Sequence, residues 1–63
     1  MPSIVVEMLP GRTIEQKRLL VEKITDGVVE ALNAPKESVH IIIHENPLEN
    51  IAVSGKLFYD TRK

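Results

Sequence analysis

The chain has 63 residues, a net charge of −1 at pH 7 and no cysteine. It is therefore read as one domain, 1–63, that buries only ~60% of its unfolded surface and is marginal alone. With no thiol for a disulfide or a thiolate metal site, assembly with further copies is the remaining staple. The charges are interspersed and the aromatic residues are one Phe and one Tyr, which leaves no basic stripe or stacking platform for nucleic acid. Apolar runs such as Ile41-Ile42-Ile43 are far too short to span a membrane. The first residues lack the basic region and long apolar run of a signal peptide, so a soluble cytoplasmic protein is expected.

Ser3 to Met8 is rich in β-branched residues and predicts a first strand. Leu9-Pro10-Gly11 ends it. Thr13-Ile14-Glu15-Gln16 has the form of a capping box, in which Thr13 caps and Gln16 reaches back. A helix is expected from about Ile14 to Leu32, with Leu20, Ile24, Val28 and Leu32 four apart and Val21, Val29 and Ala31 widening the stripe. Gly27 interrupts that stripe and suggests close packing on a sheet. Glu15, Lys17, Arg18 and Glu22 read as a solvated face. Asn33 can end the helix and Pro35 prevents its continuation. Ser38 to His44 predicts a second strand, with Ser38 initiating it. Val39, Ile41 and Ile43 point to one side; His40, Ile42 and His44 point to the other. A polar loop, Glu45 to Asn50, then leads to a short hairpin arm at Ile51-Ala52-Val53, turned by Ser54-Gly55. The tail from Lys56 to Lys63 carries Leu57, Phe58 and Tyr59 and is expected to lie against a neighbouring subunit.

Strand, helix and strand make a βαβ unit with parallel strands. The fold class is thus α+β: a single βαβ unit plus a short C-terminal hairpin arm. One sheet face and both edges stay uncovered, and Ile42 on the outer face fits a second layer supplied by another chain.

Position 2 is a proline. Cells usually trim an initiator methionine before a small residue, which would leave Pro2 as a free secondary amine with a lone pair. The plain alternative is that Pro2 opens an edge strand, where its missing N–H costs nothing. Together with Pro2, the run Glu7-Met8-Leu9-Pro10-Gly11-Arg12-Thr13, followed by Glu15-Gln16-Lys17, Ala34-Pro35, Ser38-Val39 and Ser54-Gly55-Lys56, resembles the 4-oxalocrotonate tautomerase family over essentially the whole chain. His44-Glu45-Asn46-Pro47 with Glu49-Asn50 is similar to one branch of it. The resemblance implies a short βαβ chain assembled as a homohexamer, a trimer of dimers. It also implies an amino-terminal proline acting as general base, without cofactor, to move a proton between carbon and oxygen in an enol or 2-keto acid.

The chemistry suits the residue. A general base works best with a pKa near the operating pH, and burial or a nearby guanidinium lowers that of an amine. Arg12 is the expected guanidinium, able to hold a substrate carboxylate through its planar fork. Six strand residues at ~3.3 Å each put Pro2 and Arg12 about 20 Å apart, so a two-fold paired neighbour is expected to supply Arg12. Two positions depart from the family pattern. His40 stands where the best-studied members carry a second arginine, and an imidazole donates a hydrogen bond but is no bidentate clamp. Ile51 stands where many carry an aromatic wall; it keeps the wall dry. His40 and Ile51 complete the expected substrate-binding set.

No metal is expected. His40 and His44 share a face but lie about 13 Å apart along the strand, whereas zinc ligands sit ~2 Å from the ion. Glu45 and Glu49 read as loop solvation. Beside the tautomerase reading stand hydration or dehalogenation of an unsaturated acid with Pro2 as general acid, and a non-catalytic homologue that keeps the scaffold.

Overall fold

The computed structural model describes residues 2–62. Met1, whose removal the proline chemistry requires, and Lys63 at the end of the tail lie outside the described residues. The first strand β1 spans Ser3–Met8, the helix α1 spans Ile14–Leu32 and the second strand β2 spans His40–Glu45. β1 and β2 pair in parallel, from Ser3 opposite His40 to Met8 opposite Glu45. A short hairpin follows, β3 at Ala52–Val53 and β4 at Lys56–Leu57, and the chain closes in a one-turn helix α2 at Phe58–Thr61.

Local chemistry sets these bounds. The Thr13 Oγ1 accepts the Gln16 N–H at 3.1 Å and the Gln16 Oε1 accepts the Thr13 N–H at 2.9 Å. That reciprocal cap satisfies two of the four orphan donors at the start of α1. At the other end Asn33 adopts the left-handed conformation, φ 54°, which asparagine tolerates better than most residues. Gly11 and Gly55 turn the chain at φ 115° and 78°, where a Cβ would be strained.

Three expectations need correction. Ser38 does not initiate β2: residues Lys36–Ser38 form a 3-10 turn in which the Ser38 hydroxyl donates to the Pro35 carbonyl at 2.8 Å. This local bond competes with strand pairing, so β2 begins at His40. Gly27 meets no close packing, since a Cβ added there would touch nothing within 4 Å. Lys17 is not merely solvated; its ammonium reaches Glu45 at 2.9 Å and ties α1 to the end of β2, giving Glu45 a structural partner.

The strand alternation divides the sheet cleanly. Ile4, Val6, Met8, Ile41 and Ile43 are half-buried on the face that α1 covers. Ser3, Val5, Glu7, His40, Ile42 and His44 form the opposite face and are all exposed, Val5 by 52% and Ile42 by 55%. The apolar end of α1 is bare too, with Leu32 64% exposed. Among the described residues none is fully buried. The accessible surface is 5100 Å², against about 4,100 Å² expected for a folded monomer of this mass. The radius of gyration is 14.9 Å, against about 10.6 Å for a compact chain of this length. The chain is a thin two-layer slab with an arm, and its hydrophobic groups have too little of their own chain to cover them.

Candidate active site

The sequence-predicted residues fall into two groups at opposite ends of β1. Pro2 precedes the strand and is half-buried. Its carbonyl accepts the His40 N–H at 3.0 Å, which fixes the first rung of the parallel ladder. His40 is therefore a backbone neighbour of Pro2. Its imidazole, however, stands on the open face with Ser3, while Pro2 has the parity of Ile4 and the covered face.

Arg12 and Ile51 lie at the far end, beyond the six residues of β1. There the Asn46 N–H donates to the Met8 carbonyl at 2.8 Å and closes the ladder. Three clefts converge on Met8. One of about 360 Å³ lies between Arg12, Lys17 and Leu20 at the start of α1. A second, of about 310 Å³, follows the turn from Leu9 to Arg12. A third, of about 290 Å³, has Ile51 and Phe58 as its apolar wall, with Arg62 at its rim. The hairpin arm folds back to build this last cleft, pinned by the Phe58 N–H donating to the Ile51 carbonyl at 2.8 Å.

The charges are distributed unevenly between partners. Lys17 is engaged by Glu45 and Arg18 by Glu15. Arg12 and Arg62 form no ion pair among the described residues. The Arg62 guanidinium lies over the Phe58 ring, 4.0 Å from its centroid. Glu7 faces the same cleft, and its carboxylate accepts the Asn46 side-chain amide at 3.0 Å.

Sequence reasoning brought Arg12 and Ile51 forward without seeing that they share one end of the molecule. It missed Phe58 and Arg62 as cleft residues. An aromatic and an arginine four apart meet only on a helical turn, and the one-turn helix α2 has no side-chain cap to announce it. His40 and His44 stand at opposite ends of the open face, and no group of three or more His, Cys, Asp or Glu side chains gathers into a metal-binding cluster among the described residues. Among the described residues no helix is long and apolar enough to cross a membrane.

Comparison with known proteins bears directly on this arrangement. The tautomerase enzyme family model matches residues 2–61. A 2-hydroxymuconate tautomerase of Bacillus subtilis is 47% identical over 60 residues, covering 95% of this chain and 97% of that one. A second 2-hydroxymuconate tautomerase, from Comamonas testosteroni, is 44% identical over 55 residues, 87% of each chain. The crystal structure of YwhB, a homologue of 4-oxalocrotonate tautomerase, superposes with a TM-score of 0.89 at 46% identity, covering 94% of this chain and 97% of that one. Match, fold and the proline before β1 agree: the chain belongs to the tautomerase family, and its enzymatic class is isomerase.

Proposed function

We propose that this chain is a cofactor-independent keto–enol tautomerase of 2-hydroxymuconate-like acids, with the free Pro2 nitrogen as general base and a paired copy supplying the groups that bind substrate. Pro2 takes a proton from the enol hydroxyl and returns it to carbon, so the amine ends each cycle neutral. Arg12 of the neighbour holds a carboxylate through its fork and, as a cation near the amine, favours the neutral form of the base. Ile51 keeps the wall dry, and His40 donates a hydrogen bond where the family carries an arginine.

The observation that carries this reading is the separation of Pro2 from Arg12 and Ile51 at the two ends of a six-residue strand. A two-fold axis beside β1 would run a second β1 antiparallel to the first and bring each proline to its neighbour's far end. The surface excess and the bare sheet face support the same assembly, which we read as a cytoplasmic homohexamer built as a trimer of dimers.

The test uses the amine itself. Intact mass should show a chain lacking Met1, active on an aryl enol-pyruvate. Its kcat/KM should rise with pH through a group titrating below the ordinary amine range, because the base acts in its neutral form. Retaining Met1 makes the nitrogen an amide and should cost the ~10²–10⁴-fold typical of a general base. An extended chain that assembles and turns over at the unextended rate would rule Pro2 out.

A further inference from the structure

We infer that the Lys17–Glu45 ion pair is a positioning pair for Arg12: it clasps the turn that carries the guanidinium to the end of the sheet. The inference rests on the reading above, in which Arg12 binds a substrate carboxylate for a paired copy. It adds the residues that set where Arg12 stands.

Arg12 lies in the connection from β1 to α1, between Met8 and Ile14. Among the described residues Leu9, Pro10, Gly11 and Arg12 make no hydrogen bond. Gly11, beside Arg12, has φ 115°, a region that glycine enters at no steric cost. The connection thus has a pivot and no brace of its own. The place of Arg12 is decided by how the two ends are held.

Glu45 holds both. Its backbone stands opposite Met8 in the last rung of the parallel ladder. Its carboxylate meets the Lys17 ammonium at 2.9 Å. The Lys17 N–H in turn donates to the Thr13 carbonyl at 3.0 Å, in the turn that the Thr13/Gln16 box already closes. One residue of β2 therefore anchors the residue before the connection and the helical turn after it. Apolar packing supplies no substitute there. Ile14, Glu15 and Gln16 are exposed, and the half-buried side of α1 begins at Lys17 and continues at Leu20. The pair is only 26% and 33% exposed, and partial burial weakens screening by salt.

The clasp also sits on the site. Lys17 and Arg12 line the same cleft, with Met8, Gln16 and Leu20. Lys17 is already matched by a carboxylate, whereas Arg12 forms no ion pair among the described residues. The ammonium holds the turn, and the guanidinium stays open to substrate.

The experiment is a mutant cycle on the assembled enzyme, with an aryl enol-pyruvate as substrate, at a pH where the amine is fully neutral. Glu45→Gln keeps the volume and removes the charge; it should raise KM about two- to fivefold, the scale of a partly exposed ion pair. Its kcat should hardly move, the mark of a lost grip that substrate and transition state share. Lys17→Met should do the same, and the exchanged pair, Lys17→Glu with Glu45→Lys, should recover most of the loss. In an Arg12→Ala background Glu45→Gln should leave KM nearly unmoved, because the residue it positions is gone. A KM lowered by Glu45→Gln would mean that the freed Lys17 grips substrate itself. That result, an unchanged KM, equal losses with and without Arg12, or an exchanged pair without rescue would each overturn the assignment. Hydrogen exchange reads the clasp without turnover: Glu45→Gln should quicken exchange from Thr13 to Lys17, where the cap bonds the amides. Quickened exchange beside an Arg12→Ala variant of unchanged kcat/KM would count against Arg12 as a carboxylate ligand and not against the clasp. Unchanged exchange would count against the clasp itself.

Discussion

The two ends of β1 gather different groups. At its start stand Pro2 and a backbone ladder beginning at His40. At its end three clefts meet on Met8, with two guanidiniums that form no ion pair among the described residues and an apolar wall raised by the returning arm. On the proposed mechanism, proton transfer and substrate capture are separated by the length of a strand within one chain. The contrast implies that, on the proposed assembly, stability and catalysis would depend on the same event. A chain with no fully buried residue among those described would gain a core by the proposed assembly, and the proposed site would form there too.

The largest way to break the comparison is to deny assembly. Ile42 lies at the centre of the bare sheet face. Ile42→Asp would bury an unpaired charge in any interface formed there, at a cost of several kcal/mol. The expected outcome is a poorly folded monomer without activity, read by sedimentation and circular dichroism. A stable, active assembly carrying this change would mean that the face stays open.

Arg12→Ala should act at one end only. Its side chain supports no ion pair or cap among the described residues, so fold and assembly should persist while kcat/KM on an anionic substrate falls about 10–100-fold, the loss of one or two charge-assisted bonds. Unchanged efficiency in a correctly assembled variant would remove Arg12 from the site. A smaller effect is expected at the proline end. His40→Arg should shift the preference toward dicarboxylates by a few-fold, the scale of a partly exposed charge pair. A ratio that does not move would place His40 outside the site.

Much of this division was legible in the residues. The β-branched run Ser3–Met8 and the Thr13/Gln16 box delimited β1 and α1 correctly, because strand propensity and capping act within a few residues. That Pro2 and Arg12 lie beyond opposite ends of a six-residue strand needed only the bounds of that strand. The start of β2 was misread because the Ser38 hydroxyl turns back to Pro35, a local bond that alternation does not reveal. The Lys17–Glu45 pair joins α1 to β2 and requires the fold before it can be seen. The Arg62 cleft was hidden for a similar reason. Ile51 and Phe58 become neighbours only after the hairpin turns at Ser54-Gly55, and a four-residue helix without a side-chain cap leaves almost no trace in the sequence.

The central claim, that each site takes its base from one chain and its carboxylate grip from another, is tested most directly by complementation. Chains with Met1 retained ahead of Pro2 and chains carrying Arg12→Ala should each be nearly inactive when assembled alone. Unfolded, mixed in equal amounts and refolded together, half of the two-fold pairs should be mixed, and each mixed pair regains one complete site of its two. The account predicts recovery to about a quarter of the unmodified activity. Activity no higher than the average of the two parents, in a mixture shown by mass to contain both chains, would mean that Pro2 and Arg12 act within one chain and would contradict the account.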